Sequence, residues 1–280
     1  MPNNQISAIV PIASWDFDRS MLLFRSLNKN FDKESMHTFY IIFPEKERMQ
    51  KALETLGFKF NFRVFTEKDV VPPKEYKMFS KRKGWYRQQI MKLYIANHVK
   101  TKYYICLDSD VLCIKPTKYE DLIRDGKISI NIEPKTVHER WWTDSLKVLK
   151  FKKPATTTGM SSSTNIFITD EVLSLIKHVE KIYKKPFITS LFNWFWVNKY
   201  KSFCKWTEYK MYWLFIENED KTNLYNYDSI IWGDSIWKST EVIDEPLFER
   251  VLSPNGKGSF AIVQANKVED GLAKEMAEKY

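Results

Sequence analysis

The chain has 280 residues, 44% hydrophobic and 28% charged, which excludes a disordered or fibrous protein and provides enough length to bury a substantial core. Its 44 lysines and arginines exceed its 35 acids, and the net charge of +9 favours an anionic partner: a nucleotide diphosphate, a nucleic acid or a membrane surface. No zinc-finger spacing and no RNP-like pair of aromatic strands accompanies that charge, so nucleic acid is not the expected partner.

From the N-terminus, Ile6–Ala13 (ISAIVPIA) reads as a buried strand, with Ser14 or Asp16 placed to cap a helix over Asp18–Asn28. Thr38–Phe43 is a second strand, Glu45–Leu56 a helix opened by Pro44 and closed by Gly57, and Phe58–Phe65 a third strand. Strand, helix, strand, helix, strand is the pattern of a parallel doubly wound half-domain. Thr66–Lys83 reads as a polar loop around Pro72-Pro73, and Gly84–His98 as a helix. Then comes the run Tyr103-Tyr104-Ile105-Cys106-Leu107-Asp108-Ser109-Asp110, a strand without polar alternation that ends in two carboxylates. Val111-Leu112-Cys113-Ile114 is a second short apolar run, closed by Pro116.

Later elements are less regular. Strands are expected over Lys127–Ile132 and Asn165–Thr169, separated by a Thr/Ser/Gly-rich loop over Lys153–Thr164. Asp170 caps a helix to Tyr183, Pro186 begins another, and Thr207–Asn218 is an aromatic helix. Ser259–Gln264 is a final strand and Val268–Lys279 a terminal amphipathic helix. Most of the 15% aromatic residues are expected in the core, with some lining a ligand surface.

Three cysteines, Cys106, Cys113 and Cys204, show no C-x-x-C spacing, and the first two lie in apolar runs. They read as free thiols in a reducing compartment. No signal peptide is legible in Met1-Pro2-Asn3-Asn4-Gln5, and no apolar stretch reaches about 18 residues. The expectation is a soluble, cytoplasmic protein with no membrane span.

Asp108 and Asp110 stand where their strand runs out, which in an open α/β sheet is where ligands bind. Paired carboxylates there repel unless a cation joins them. Hard oxygen ligands suit Mg²⁺ or Mn²⁺, ions that bridge a protein carboxylate to a substrate diphosphate. The triplet Asp108-Ser109-Asp110 resembles the DXD motif of GT-A glycosyltransferases. The segment Lys81-Arg82-Lys83-Gly84-Trp85-Tyr86-Arg87-Gln88-Gln89 resembles the K/R-x-x-G-W-x-x-Q-Q-x-x-K-L stretch that precedes the DXD in a group of poorly described GT-A-like enzymes. The likeness is good over roughly the first 115 residues and loose beyond.

That resemblance implies a GT-A (Rossmann-like) α/β fold with a mixed, mainly parallel central sheet. One domain would span 1–280, with a nucleotide-binding half at 1–115 and an acceptor-binding half at 116–280. The nucleoside would lie at the first strand's end, against the backbone of Pro11, Ile12 and Ala13, with Asp16 on base or ribose unless it serves as a helix cap. Arg82, Lys83, Arg87 and Gln88 would face the diphosphate at a helix N-terminus, beside Asp108 and Ser109. Trp85 and Arg87 point to different faces of that helix, so only one of them faces the site.

Glu208 sits among Trp206, Tyr209 and Tyr212, where partial desolvation raises proton affinity, and T-E-Y-x-x-Y resembles the general base of an inverting enzyme. Thr158, Gly159 and Trp206 are the acceptor candidates, with His138, Glu139, Arg140, Trp141 and Trp142 as a further wall. One departure is plain: the late strand carries no His as third metal ligand, leaving Gln264, Asn266 or water for that position.

The expected activity is therefore metal-dependent transfer of a sugar from a UDP-sugar to a glycan hydroxyl, inverting with Glu208 as base, with retention open. Length and a Lys/Asn/Phe-rich composition look like the soluble glycosyltransferases of large DNA viruses, which suggests a xylosyltransferase using UDP-xylose. A nucleotidyltransferase is the first alternative, but it would need a Gly-rich phosphate loop where Ala13-Ser14-Trp15 stands. A non-catalytic glycan-binding module is the second.

Overall fold

The computed structural model describes residues 4–152, 154–197, 205–236, 250–251, 253 and 255–264. Cys204, Asn266 and the expected helix Val268–Lys279 lie outside the described residues. The first half forms β1 (Ile6–Pro11), α1 (Phe17–Asn30), β2 (Met36–Ile42), α2 (Lys46–Leu56), β3 (Phe62–Phe65), α3 (Glu67–Val70), α4 (Pro73–Phe79), α5 (Gly84–Tyr94), β4 (Tyr103–Cys106) and β5 (Val111–Cys113). There follow α6 (Tyr119–Leu122), β6 (Ile123–Arg124), β7 (Lys127–Ser129), β8 (Ile132–Pro134), α7 (Glu139–Leu149), β9 (Thr158–Met160) and β10 (Asn165–Ile168). The remainder is α8 (Thr169–Tyr183), α9 (Phe187–Val197), α10 (Glu208–Asn218), β11 (Tyr225–Asn226), β12 (Trp232–Ile236) and β13 (Phe260–Val263).

The central sheet runs β10-β4-β1-β2-β3. β1 pairs in parallel with both β2 and β4, β2 in parallel with β3, and β10 runs antiparallel along β4. All six residues of β1 are buried, as expected of a strand covered on both faces. Alternation along β2 assigns the two faces. Phe39 meets Phe58 and Phe60, and Phe58 meets Phe24 of α1. Tyr40 points the other way and donates its hydroxyl to His98 O, just past α5. On that second face Tyr104 and Phe167 pack against each other, and Phe167 meets Tyr209 and Tyr212 of α10. Most aromatic residues are thus core, as their chemistry leads one to expect.

A smaller sheet, β12-β13-β5, begins where the central sheet stops, because β5 leaves β4 after the Asp108-Ser109-Asp110 turn. Two further pairings, β11-β7-β6 and β8-β9, complete the described sheets.

Three expectations need correction. The loop Thr66–Lys83 contains two helices. Thr66 and Asp69 form a reciprocal cap, with Thr66 N–H 2.6 Å from Asp69 Oδ2, and Pro73 occupies the first position of α4. The third strand starts at Phe62 rather than Phe58, because Phe58 and Phe60 fill the core from the turn after Gly57. Finally, the Lys127–Ile132 strand is two pieces, and the small-polar loop holds β9 paired to the second of them.

Candidate functional site

Asp108-Ser109-Asp110 lies at the carboxyl end of β4. There the strand order reverses, with β1 and β2 on one side and β10 on the other. Backbone bonds pin the turn at each end: Leu107 N–H donates to Ile9 O at 2.9 Å and Val263 N–H to Asp110 O at 2.8 Å. Ser109 is buried, while both carboxylates are half-buried.

Helix α5 supplies the partners. Gln88 Nε2 donates to Asp108 Oδ1 at 2.7 Å, and Lys92 Nζ reaches the same oxygen at 2.7 Å. These two residues are one helical turn apart and so share a face. Lys92 Nζ also lies 3.0 Å from Glu208 Oε1, at the start of α10. Gln89 Oε1 accepts the Glu208 backbone N–H at 3.2 Å, and Thr207 Oγ1 caps the same helix through Lys210 N–H. Tyr104 donates to Lys92 O at 2.9 Å, fixing that turn of α5 on the sheet.

The result is a carboxylate–ammonium–carboxylate line, with Lys92 and Glu208 both out of solvent. Burial works against the lysine's charge, but Asp108 and Glu208 outweigh it and hold the ammonium well above the usual lysine range. Burial pushes the Glu208 carboxyl up from its ordinary value, against the pull of Lys92. Lys92 is the ion-pair partner of Glu208 Oε1, and Glu208 Oε2 has no hydrogen-bond partner among the described residues. A buried carboxylate oxygen without a hydrogen-bond partner is uncommon and sets Glu208 apart from an ordinary core position, although it has no accessible surface in this structure.

The other expected site residues are placed as follows. Pro11 and Ile12 are buried, and Ile12 N–H is occupied by Ile42 O, leaving the half-buried Ala13 as the more accessible backbone. Asp16 occupies the N-cap position of α1, but its side chain makes no cap bond; it meets Arg19 at 3.4 Å. Arg82 lies over the Phe192 ring at 4.4 Å, and Lys83 is exposed at the N-cap of α5. Arg87 pairs with Glu67 of α3 at 2.9 Å, so it is the Trp85–Gln88 face of α5 that turns toward Asp108.

Thr158 is exposed on β9. Gly159 is packed shut: a Cβ there would collide with the Trp142 ring and lie 2.7 Å from Trp213 Cδ1. Trp206 is fully buried and faces Tyr86. Gln264 follows β13 directly, and the β13–β5 register brings it alongside the Asp108–Asp110 turn.

In the sequence Gln89 and Lys92 stand as positions of the Gly84–His98 helix and as the second Q and the K of the resembled stretch, with no chemical role attached. Their i, i+1, i+4 spacing with Gln88 put Lys92 on the Gln88 face, and nothing in the local sequence named Glu208 as its second partner. A second buried pair was equally hidden. Lys210 Nζ, with no exposed side-chain surface, donates to Glu133 Oε1 at 2.6 Å and Met160 O at 2.7 Å, and lies over the Trp142 ring at 4.5 Å.

For a divalent cation, the oxygen donors at the turn are Asp108, Asp110 and the neutral amide of Gln264. Among the described residues no group of three His, Cys, Asp or Glu side chains could hold a metal ion. This donor set does not form a closed protein cage. Asp108 Oδ1 is moreover taken by Gln88 and Lys92, so a hard cation here would need most of its oxygen ligands from a bound molecule and water.

Residues 3–277 match the family of unknown function DUF6492. The chain belongs to this family. No curated protein matches the sequence significantly. Among solved structures, mouse xyloside xylosyltransferase 1 in its apo form is similar, with a TM-score of 0.51 and 11% identity over 95% of this chain and 99% of that one. At that identity the likeness establishes the fold, which is that of a GT-A glycosyltransferase. No helix among the described residues is long and apolar enough to cross a membrane.

Proposed function

We propose that this DUF6492 member is a metal-dependent glycosyltransferase that moves a sugar from a UDP-sugar donor to a glycan hydroxyl. The observation that carries this reading is the Asp108–Lys92–Glu208 line at the switch point of a GT-A sheet. A carboxylate suited to a diphosphate-bound cation, next to a second, buried carboxylate suited to proton transfer, supports this reading. Likeness to a xylosyltransferase supports UDP-xylose as the donor to try first. Residues 1–115 would serve the nucleotide and 116–280 the acceptor.

Asp108, Asp110 and Gln264 are the residues that would hold Mn²⁺ or Mg²⁺. When bound, the cation offsets the charge that builds on the departing diphosphate. Lys83, exposed at the N-terminus of α5, lies with the N–H ends of that helix where an anion is favoured. Ala13 and Asp16 border the nucleoside. Glu208 takes the proton of the acceptor hydroxyl. The freed oxygen bonds to the anomeric carbon as the bond from that carbon to the diphosphate oxygen breaks, giving inversion. Lys92 and Gln89 hold Glu208 in position, and the ammonium keeps its carboxylate available in a buried setting.

Glu208→Gln tests the assignment, since it keeps the side-chain volume and removes the base. Transfer to acceptor should fall about 10²–10⁴-fold while UDP binding is unchanged. Full transfer by this variant would remove Glu208 from the reaction.

A further inference from the structure

Trp85, on the first turn of α5, is 38% exposed, and its ring lies 5.8 Å from that of Trp141 on α7. His138 stacks on Trp141 with centroids 4.0 Å apart and planes inclined by 15°. Its backbone is left-handed, with φ 56°, a region that few non-glycine residues adopt. Tyr86 meets Trp85 edge-on at 4.8 Å and Trp206 at 6.0 Å. Val137, 41% exposed, extends the surface at the other end. These side chains form a narrow aromatic shelf joining the N-terminal ends of α5 and α7.

Trp85 and Gln88 lie one helical turn apart on the same side of α5, about 5 Å along its axis, and Gln88 is bonded to Asp108, so the shelf stands on the side of the helix that holds the carboxylate. Tyr86 reaches Trp206, which precedes Glu208 by one residue, Thr207. The ring contacts therefore run from the exposed Trp85 through Tyr86 to the buried Trp206, two residues before Glu208. The acceptor role foreseen for Gly159 and Trp206 has no accessible surface at either residue.

We propose that this shelf is the acceptor subsite, on which a sugar ring adjoining the reacting one stacks its C–H face against Trp85 and Trp141. The proposal rests on the glycosyltransferase reading above and adds to it the acceptor class: an oligosaccharide of at least two residues. The C–H groups on one face of a sugar ring carry partial positive charge and complement the negative face of an aromatic ring. Hydroxyls at the ring edge meet the polar groups of Glu139 and Arg140, both exposed at the start of α7. A protein partner fits poorly, because a stable interface takes about 800 Å² on each side, and charged side chains interrupt the shelf after a few rings.

Calorimetric titration of the full chain with xylotetraose, cellotetraose, mannotetraose and chitotetraose, each against its monosaccharide, tests the subsite. At least one tetrasaccharide should bind more tightly than its monomer. Trp85→Ala and Trp141→Ala should each weaken it about tenfold, and Trp85→Phe less. Trp85 is a surface residue, so a folded Trp85→Ala variant is expected, and its melting curve checks this. UDP with Mn²⁺ is titrated in parallel and should bind wild type and both alanine variants alike. Absence of tetrasaccharide binding, or binding unaltered by both alanine variants, overturns the subsite whether or not UDP binds. Loss of UDP affinity in Trp85→Ala also overturns it, since the ring would then belong to the donor. Failure of UDP to bind wild type counts separately, against the glycosyltransferase reading.

Discussion

Lys92 carries the charge balance of the site. Its ammonium neutralises two carboxylates that reach it from different parts of the chain, and it has almost no contact with water. Removing one member of such a group leaves charge buried without compensation, which typically costs about 3–5 kcal/mol. Lys92→Met should lower unfolding stability by that order in a urea titration, and adding Glu208→Gln should restore part of the loss, because a neutral amide has no need of the lysine. An unchanged midpoint for Lys92→Met would mean the pair is not formed in solution. Asp108 was legible in the sequence, since an apolar strand ending in two acids is a local pattern. Lys92 was legible only as a helical position. Its role depends on α10 reaching α5, as the Glu208–Gln89 bond does across 119 residues, and no local pattern encodes that.

Elements meet at a second buried charge. Lys210 of α10 pairs with Glu133 of β8 beneath the Trp142 ring of α7. Burial pushes the Lys210 ammonium down from 10.5 to about 8, and Glu133 only partly opposes this. In the unfolded chain the lysine keeps its proton to about 10.5, so between about 8 and 10.5 the unfolded state binds more protons. This group's contribution to stability therefore rises with pH across that window and is flat below it. The difference in unfolding free energy between wild type and Lys210→Met should grow in favour of wild type from about pH 7 to about pH 10. A flat difference would contradict the assignment. Lys92 has the opposite sign: its contribution is complete below 10.5 and is lost only as pH rises above that value. At this scale the parallel half of the fold was readable from strand–helix alternation and from Gly57, whose φ of 64° ends α2. The helices α3 and α4 were obscured by polar composition, although Thr66 and Asp69 at cap spacing and Pro73 at a first helical position mark their starts. Likewise Asp125 and Gly126, with φ of 52° and 74°, make the tight turn between β6 and β7, a two-residue signal hidden by the shortness of both strands.

Across the whole molecule, a parallel sheet brings the ends of β1 and β4 together, while α5 and α10 close over one face and carry Lys92 and Glu208 to the same point. The antiparallel β5–β13 ladder brings Gln264 alongside the turn from the opposite sheet. Under the proposed function a diphosphate and a cation meet at this point and should bind cooperatively. The most direct test is thermal unfolding of the full chain with UDP, GDP and CMP, each with and without Mn²⁺. UDP together with Mn²⁺ should raise the melting temperature of wild type, since a ligand that binds only the folded state stabilises it by mass action. Asp110→Asn should abolish that rise, measured against the variant's own unliganded melting temperature. No rise with any nucleotide in the presence of Mn²⁺, or an undiminished rise in Asp110→Asn, would contradict a nucleotide-sugar site at Asp108–Asp110.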